Sequence, residues 1–151
     1  MIEEDLLNAW LKMSVCIKGN RILNELSFNE ITILNALNGG DLTFKMILEK
    51  TKMLKSQLNR VLNALINKKM VISYANSNDK RSVIYSLNNQ NRKVYDDEHK
   101  RVLMIMNSIK NTLGEEETKR LALDIERATD IVNKIGGSIW KLVLLQIRLV
   151  I

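Results

Sequence analysis

Ser56, Gln57, Asn59 and Arg60 are the residues whose types and spacing point most directly to chemistry. They lie on a segment in which Leu58, Val61, Leu62 and Leu65 recur at i, i+3, i+4 and i+7. That spacing places one apolar stripe against a core and turns Ser56, Arg60, Asn63 and Asn67 outward, with Gln57 and Asn59 on the flanks. No exposed position is acidic. A face of Ser, Gln, Asn and Arg can donate to base edges and to phosphates without repelling them, whereas a generic solvated helix mixes Glu with Lys. The competing reading is an ordinary polar face in an Asn-rich chain.

Two short runs follow, Met70 to Ala75 and Ser82 to Leu87, rich in β-branched and aromatic residues. Between them Asn76-Ser77-Asn78-Asp79-Lys80-Arg81 consists of residues that tolerate turn conformations, so the pair reads as a hairpin with a loop longer than two residues. Its tip carries Lys80 and Arg81 beside one carboxylate, Asp79, which is placed to hold the Arg81 guanidinium in an orientation suited to a minor groove. A solvated charged hairpin tip is the plainer alternative.

The charge distribution sharpens this. The 151-residue chain has a formal charge of +6, yet Asp41 to Lys93 holds eleven Lys or Arg against three acids, leaving that segment at +8 and the rest at −2. Positive charge therefore concentrates on the helix and hairpin, as it does in modules that approach phosphates. Lys45, Lys52, Lys55 and Lys68 are candidates for contacts of that kind, which add affinity without sequence choice.

Catalysis finds no matching constellation: there is no Ser/His/Asp or Cys/His pairing beyond chance, no zinc-protease helix motif and no Gly-rich phosphate loop. With one cysteine, Cys16, and one histidine, His99, neither a disulfide framework nor a Cys/His metal site of familiar spacing can be assembled. No cofactor is expected. The reducing cytoplasm is the expected compartment, and the acidic start Met-Ile-Glu-Glu-Asp is unlike a signal peptide.

The elements that must position the polar helix are legible by period. Leu6, Trp10, Met13 and Ile17 form a helix seam in a first segment from about Glu3 to Leu26, with Gly19-Asn20 marking a bend or break. Ser27-Phe28-Asn29-Glu30 is a capping box that opens a second helix, closing near Gly39-Gly40. Thr43 caps a third, in which Phe44, Ile47, Leu48 and Thr51 share a face, and a turn at Lys52 to Leu54 leads into the polar helix as a helix-turn-helix. Beyond the hairpin, Tyr95, His99, Val102, Met106, Ile109 and Leu113 form one coiled-coil-like seam. After Gly114, Leu121, Ile125, Ala128, Val132 and Ile135 form another. Leu103, Ile105, Leu123 and Ile131 lie off these seams and also need cover, from a second subunit or from the N-terminal segment.

From Leu26 to about Val132 the chain resembles the MarR family of winged-helix transcription regulators. The resemblance rests on Leu26-Ser27-Phe28, on Lys55 to Leu62 as recognition helix, and on Leu65-Ile66-Asn67-Lys68-Lys69-Met70-Val71 leading into the wing. Of the family's D-x-R-D-x-R wing signature, Asp79 and Arg81 match while Asn76 and Asn78 do not. Asn88 and Asn91 also depart from the family's pattern, and Met70 stands where Gly is common, which suggests a helix end with no residue free to take φ > 0.

The resemblance implies a mainly α fold with a small antiparallel β wing, a winged helix-turn-helix with N- and C-terminal dimerisation helices. The corresponding boundaries are 1–26 and 91–135 for the dimerisation region, 27–90 for the DNA-binding region and 136–151 for an apolar C-terminal extension. It further implies a homodimer bound to double-stranded DNA at a pseudo-palindromic operator, a repressor released by a small phenolic or lipophilic ligand. Ser56, Gln57, Asn59 and Arg60 then face the major groove, Asp79, Lys80 and Arg81 the wing contact, and Trp10, Met13, His99 and Met106 line the effector cleft or belong to the core. Some relatives sense peroxides through a first-helix cysteine, but Cys16, flanked by Val15 and Ile17, reads as a buried inert thiol. The rival class is a winged-helix module for RNA or acidic protein partners.

Gly136-Gly137-Ser138 reads as a linker before a nearly apolar run of thirteen residues, too short for a bilayer span, which takes about 20. That run is an extra helix on the dimer, an interfacial or partner-binding segment, or a non-native extension. No membrane partner is expected.

Overall fold

A computed structural model describes the backbone of residues 1–150 and the side chains of residues 1–137. Its elements run α1 (Ile2–Gly19), α2 (Phe28–Asn38), β1 (Leu42–Thr43), α3 (Phe44–Thr51), α4 (Lys55–Asn67), β2 (Val71–Ala75), β3 (Val83–Leu87), a 3-10 turn (Asn89–Asn91), α5 (Lys93–Leu113) and α6 (Glu115–Val150). The chain divides into two compact units, 1–104 and 105–151, with the division falling inside α5.

In the first unit the helix starts follow local chemistry. Ser27 Oγ accepts from the Glu30 backbone N–H at 3.2 Å while the Glu30 carboxylate accepts from Ser27 N–H at 2.8 Å, so the capping box is complete. Thr43 Oγ1 accepts from Met46 N–H at the start of α3. Strands β2 and β3 pair antiparallel, Val71 opposite Leu87 and Ala75 opposite Val83. The two-residue β1, too short to show alternation in the sequence, adds a third strand by pairing Leu42 with Tyr85 and Thr43 with Ile84. The core gathers Leu26, Ile33, Leu34 and Leu37 from α2 and its approach, Ile47 from α3, the α4 stripe, and Val71, Leu87 and Tyr95. This is the winged helix-turn-helix expected, mainly helical with a small antiparallel sheet.

Several details differ from expectation. α1 buries no residue, and Cys16 is exposed, its Sγ accepting from Asn20 Nδ2 at 3.3 Å; the thiol is not shielded because nothing in its unit packs over that stretch of helix. On α5, Tyr95 and Glu98 are the buried positions and His99 is only half-buried, stacked on the Tyr95 ring at 5.2 Å. Glu98 tolerates burial because its Oε1 accepts from the backbone N–H groups of Asn24 and Glu25 at 2.8 and 2.7 Å, pinning the α1–α2 connection, while Arg101 lies 3.9 Å from its other oxygen.

In the second unit Gly114 takes φ 85°, a value reserved largely for glycine, and separates α5 from α6 as its position suggested. The Gly136-Gly137-Ser138 linker does not materialise. The backbone of α6 remains helical from Glu115 to Val150, since two glycines cost a long helix only about 1 kcal/mol each and impose no break of their own. The fate of the side chains of the terminal apolar run lies outside the described residues. Leu121, Leu123, Ile125, Ile131, Val132 and Ile135 are all exposed along α6. Among the described residues no helix is long and apolar enough to cross a membrane.

Candidate nucleic-acid interface

α4 is amphipathic as its spacing dictates: Leu58, Val61, Leu62 and Leu65 are buried, whereas Ser56, Asn59, Arg60, Asn63 and Asn67 are exposed and Gln57 is half-buried on the flank. The side chains of Ser56, Asn59, Arg60, Lys45 and Lys55 make no hydrogen bond or ion pair among the described residues, so their donors are available to a partner. The helix enters through Lys52, which takes a left-handed φ of 57° and closes α3 by donating its N–H to Leu48 O. Met53 packs on the core, and Leu54, extended, forms the N-cap without any side-chain cap bond.

The other end of α4 is closed by a Schellman motif: Met70 N–H reaches Leu65 O and Lys69 N–H reaches Ile66 O, both at 2.9 Å. The expectation that no residue here adopts φ > 0 is corrected, because Lys69 does so at 57°. Met70, one residue on, is buried and supplies the apolar contact that accompanies such a cap. Asn88 and Asn91 support this end. Asn88 Nδ2 donates to Lys69 O at 2.7 Å, and Asn91 Nδ2 lies 3.4 Å from Lys68 O and Lys69 O.

Lys68 sits differently from the other candidate phosphate lysines. Its ammonium is 2.6 Å from Glu30 Oε1, pairing a half-exposed cation with a carboxylate side chain only 9% exposed. Burial pushes the Glu30 carboxyl up, but the bonds from Lys68 and Ser27 outweigh it and hold the carboxyl below the usual value of 4.5. Lys68 therefore ties α4 to α2, whereas Lys45 at the start of α3 and Lys52 and Lys55 around the start of α4 are exposed.

The wing tip is internally bonded. Asn76 N–H donates to Ser82 O at 3.2 Å and Asn76 Nδ2 to Ser82 Oγ at 2.9 Å, while Asn76 Oδ1 accepts from Asn78 N–H at 3.1 Å. Asn76 and Asn78 thus stiffen the loop in place of the missing acid–Arg pair. The expected Asp79 grip on the Arg81 guanidinium is corrected: Asp79 Oδ1 accepts from the Arg81 backbone N–H at 3.0 Å, because the turn brings that group and not the long side chain within reach. Lys80 and Arg81 are exposed. At the wing base Tyr74 OH donates to the Asp41 carboxylate. Hydrogen bonds from Ser86 and Tyr74 lower that carboxyl.

The residues expected around an effector divide between α1 and α5. Trp10 and Met13 lie on the exposed face of α1, His99 stacks on Tyr95, and Met106 belongs to the second unit, where it is exposed. A cavity of about 250 Å³ instead opens between Glu25, Leu26, Lys68, Met70, Asn91 and Val94. Among the described residues no group of three His, Cys, Asp or Glu side chains is placed to hold a metal ion.

Comparison with known proteins converges on one class. The family description "Transcriptional regulator SarA/Rot" matches residues 20–97, about half of the chain. No curated protein matches it in sequence. Among solved structures, BpsR of Bordetella bronchiseptica, whose DNA binding is regulated by 6-hydroxynicotinic acid, superposes with a TM-score of 0.67 at 17% identity, over 85% of this chain and 99% of its own. PcaV of Streptomyces coelicolor, solved with its natural ligand, gives 0.69 at 17% identity over 83% and 89%. The zinc-responsive MarR family member ZitR of Lactococcus lactis gives 0.56 at 18% identity over 85% and 97%. At these identities the likeness is one of fold, and the fold is that of MarR regulators.

Proposed function

We propose, starting from a chain that belongs to the SarA/Rot family of transcriptional regulators, that it binds double-stranded DNA sequence-specifically as a homodimer and represses transcription. The observation that carries this reading is the exposed, acid-free face of α4, with unengaged Ser56, Asn59 and Arg60, followed in the chain by a basic wing tip. Arg60 suits a bidentate contact to guanine, Gln57 or Asn59 one to adenine, and Lys45, Lys52 and Lys55 contacts to phosphate. Asp79 shapes the loop from which Lys80 and Arg81 reach the backbone and minor groove.

Dimerisation is supported by the apolar residues left uncovered on α1 and α6, which need a second copy for burial. Two recognition helices related by a two-fold axis would read half-sites about 34 Å apart in a pseudo-palindrome. Release by a small phenolic or lipophilic ligand is supported by the regulation of BpsR DNA binding by 6-hydroxynicotinic acid and by the natural ligand bound to PcaV. Such a ligand lowers DNA affinity by as much as it prefers the dimer with misplaced helices.

Selection of bound duplexes from a random pool, followed by gel shifts on selected and scrambled sequences, tests the reading. Arg60→Ala is expected to remove about 1–3 kcal/mol of discrimination, while Lys55→Ala weakens binding to all duplexes alike. Equal losses on both duplexes for Arg60→Ala would contradict the assignment. A monomer by light scattering that binds no duplex at low salt would favour instead a module for RNA or acidic proteins.

A further inference from the structure

Leu54 is the residue of this surface that obeys neither of the rules its position imposes. By spacing it continues the α4 stripe, four residues before Leu58, yet Leu58 is fully buried and Leu54 is 73% exposed, more than any other large apolar side chain from α2 through the wing. The inversion has a local cause. Met53 takes the place in the core, and Leu54 follows with φ −69° and ψ 145°, an extended conformation that swings its side chain away from the helical phase.

The second rule concerns caps. A polar N-cap stabilises a helix by about 1 kcal/mol relative to an apolar one. This chain uses such caps at Ser27 for α2, Thr43 for α3 and Asn88 for the 3-10 turn. At α4 it places leucine, whose side chain caps nothing and is left in water. Stability therefore disfavours this residue twice, through the lost cap and through the exposed isobutyl group.

Its surroundings identify what would compensate. Lys52 and Lys55 flank it in sequence and are exposed, and Ser56 is exposed one position further. An apolar group among cations does not suit an apolar protein surface. It suits the one apolar feature of the major groove, the thymine 5-methyl, which lies between two rows of phosphates. The N-terminal residues of a recognition helix are those that reach base edges.

We infer that Leu54 is a specificity-determining residue that packs its side chain on the 5-methyl group of a thymine in each half-site. The inference rests on the DNA-binding reading above and adds to it the base and the chemical group read. Burial of one methyl is worth roughly fourfold in affinity per half-site and roughly fifteenfold for a symmetric site.

The experiment replaces each thymine of a selected duplex in turn by deoxyuridine, which removes only the methyl group, and measures binding of the wild-type chain, Leu54→Ala and Leu54→Ser. At one thymine per half-site the wild-type chain should lose about fourfold on the change to uracil, while both variants bind the two duplexes equally. Leu54→Ser supplies a polar cap and should melt no lower than wild type, so its insensitivity cannot come from unfolding. If the duplexes are selected but no thymine shows this coupling, the role of Leu54 is overturned while the regulator stands. If the wild-type chain selects no duplex, the regulator reading falls and this inference with it.

Discussion

Moving a glycine by a single residue at the end of α4 should reverse the sign of its effect on stability. Lys69 sits at φ 57°, where a side chain with a Cβ costs roughly 1–2 kcal/mol, and it is exposed, so Lys69→Gly removes strain without removing packing. Glycine gives back about 0.5–1 kcal/mol through the freer unfolded chain, leaving a net gain of about 0.5–1 kcal/mol. Both Schellman bonds are donated by backbone N–H groups, at 69 and 70, and survive the change. Met70 has no positive φ and its side chain is 6% exposed against Leu65 and the rest of the core. Met70→Gly therefore relieves nothing and empties a buried site, at a cost of about 2–5 kcal/mol or more. For a chain of this length each kcal/mol moves Tm by about 2–4 °C, so the first variant should melt slightly higher and the second on the order of 10 °C lower. Thermal and urea unfolding at one protomer concentration would measure both, since dimerisation makes Tm concentration-dependent. A neutral or destabilising Lys69→Gly, or a Met70→Gly that gains stability, would refute the placement of the left-handed residue at 69.

The Lys68–Glu30 pair gives a pH signature. Because the Glu30 carboxyl is held below 4.5 in the folded chain, its contribution is complete above that value and is lost as pH falls through the lower folded value. Lys68→Ala should cost about 1–2 kcal/mol at neutral pH, discounted for the half-exposed ammonium, and should flatten this acid limb of the urea-measured stability profile while leaving sequence discrimination unchanged. In the wing, Lys80→Ala should lessen the slope of log affinity against log salt by about 1 on every duplex, and an unchanged slope would remove Lys80 from the phosphate contacts. Arg81→Ala should weaken binding most where the flanking minor groove is narrow, as A-tract substitutions in the flanks would reveal.

What could be read from the sequence was whatever repeats or punctuates locally. The α4 stripe, the Ser27–Glu30 box, the Thr43 cap and the Gly114 break each occupy a few neighbouring residues whose side-chain chemistry suffices to produce them. What escaped depends on partners distant in sequence or on backbone conformation. Strand β1 exists only because the edge of β3 is there to pair with it. Lys68 is, by sequence, one more basic residue at a helix end, and only the fold brings Glu30, 38 positions earlier, beside it. Asp79 and Arg81 share one turn as their spacing predicts, but there the backbone N–H, and not the guanidinium, comes within reach of the carboxylate. Glu98 carried a usable signal: it lies three residues after buried Tyr95, on the same helical face, and a carboxylate there demands donors. Leu54 carried the opposite one, since its spacing pointed inward and only the extended backbone before α4 turns it out.

The two ends of α4 differ in a way that bears on how its face can be aimed. At the C-terminus the Schellman bonds, Asn88, Asn91 and the Lys68–Glu30 pair fasten the helix to the end of the wing, to α2 and to the 3-10 turn. At the N-terminus the helix has no side-chain cap, and unengaged Lys55 and Ser56 lie beside exposed Leu54. Both ends rest on the core, through Met53 and Leu58 at the start and Leu65 at the finish, but side-chain and cap bonds reinforce only the C-terminal one. Thirteen residues at 1.5 Å each make a helix of roughly 20 Å, so a tilt of about 10° about its C-terminal end displaces its N-terminal end by roughly 3 Å, close to the rise of one base pair. The fastening extends back from Glu30 through the Ser27 cap to the Asn24–Glu25 connection, which Glu98 of α5 holds by two backbone bonds. A shift of the first turns of α5 would therefore reach the C-terminal end of α4 through Glu98, the Ser27–Glu30 box and Lys68. Under the DNA-binding reading proposed above, the end displaced by such a tilt is the one that carries Leu54 and Ser56.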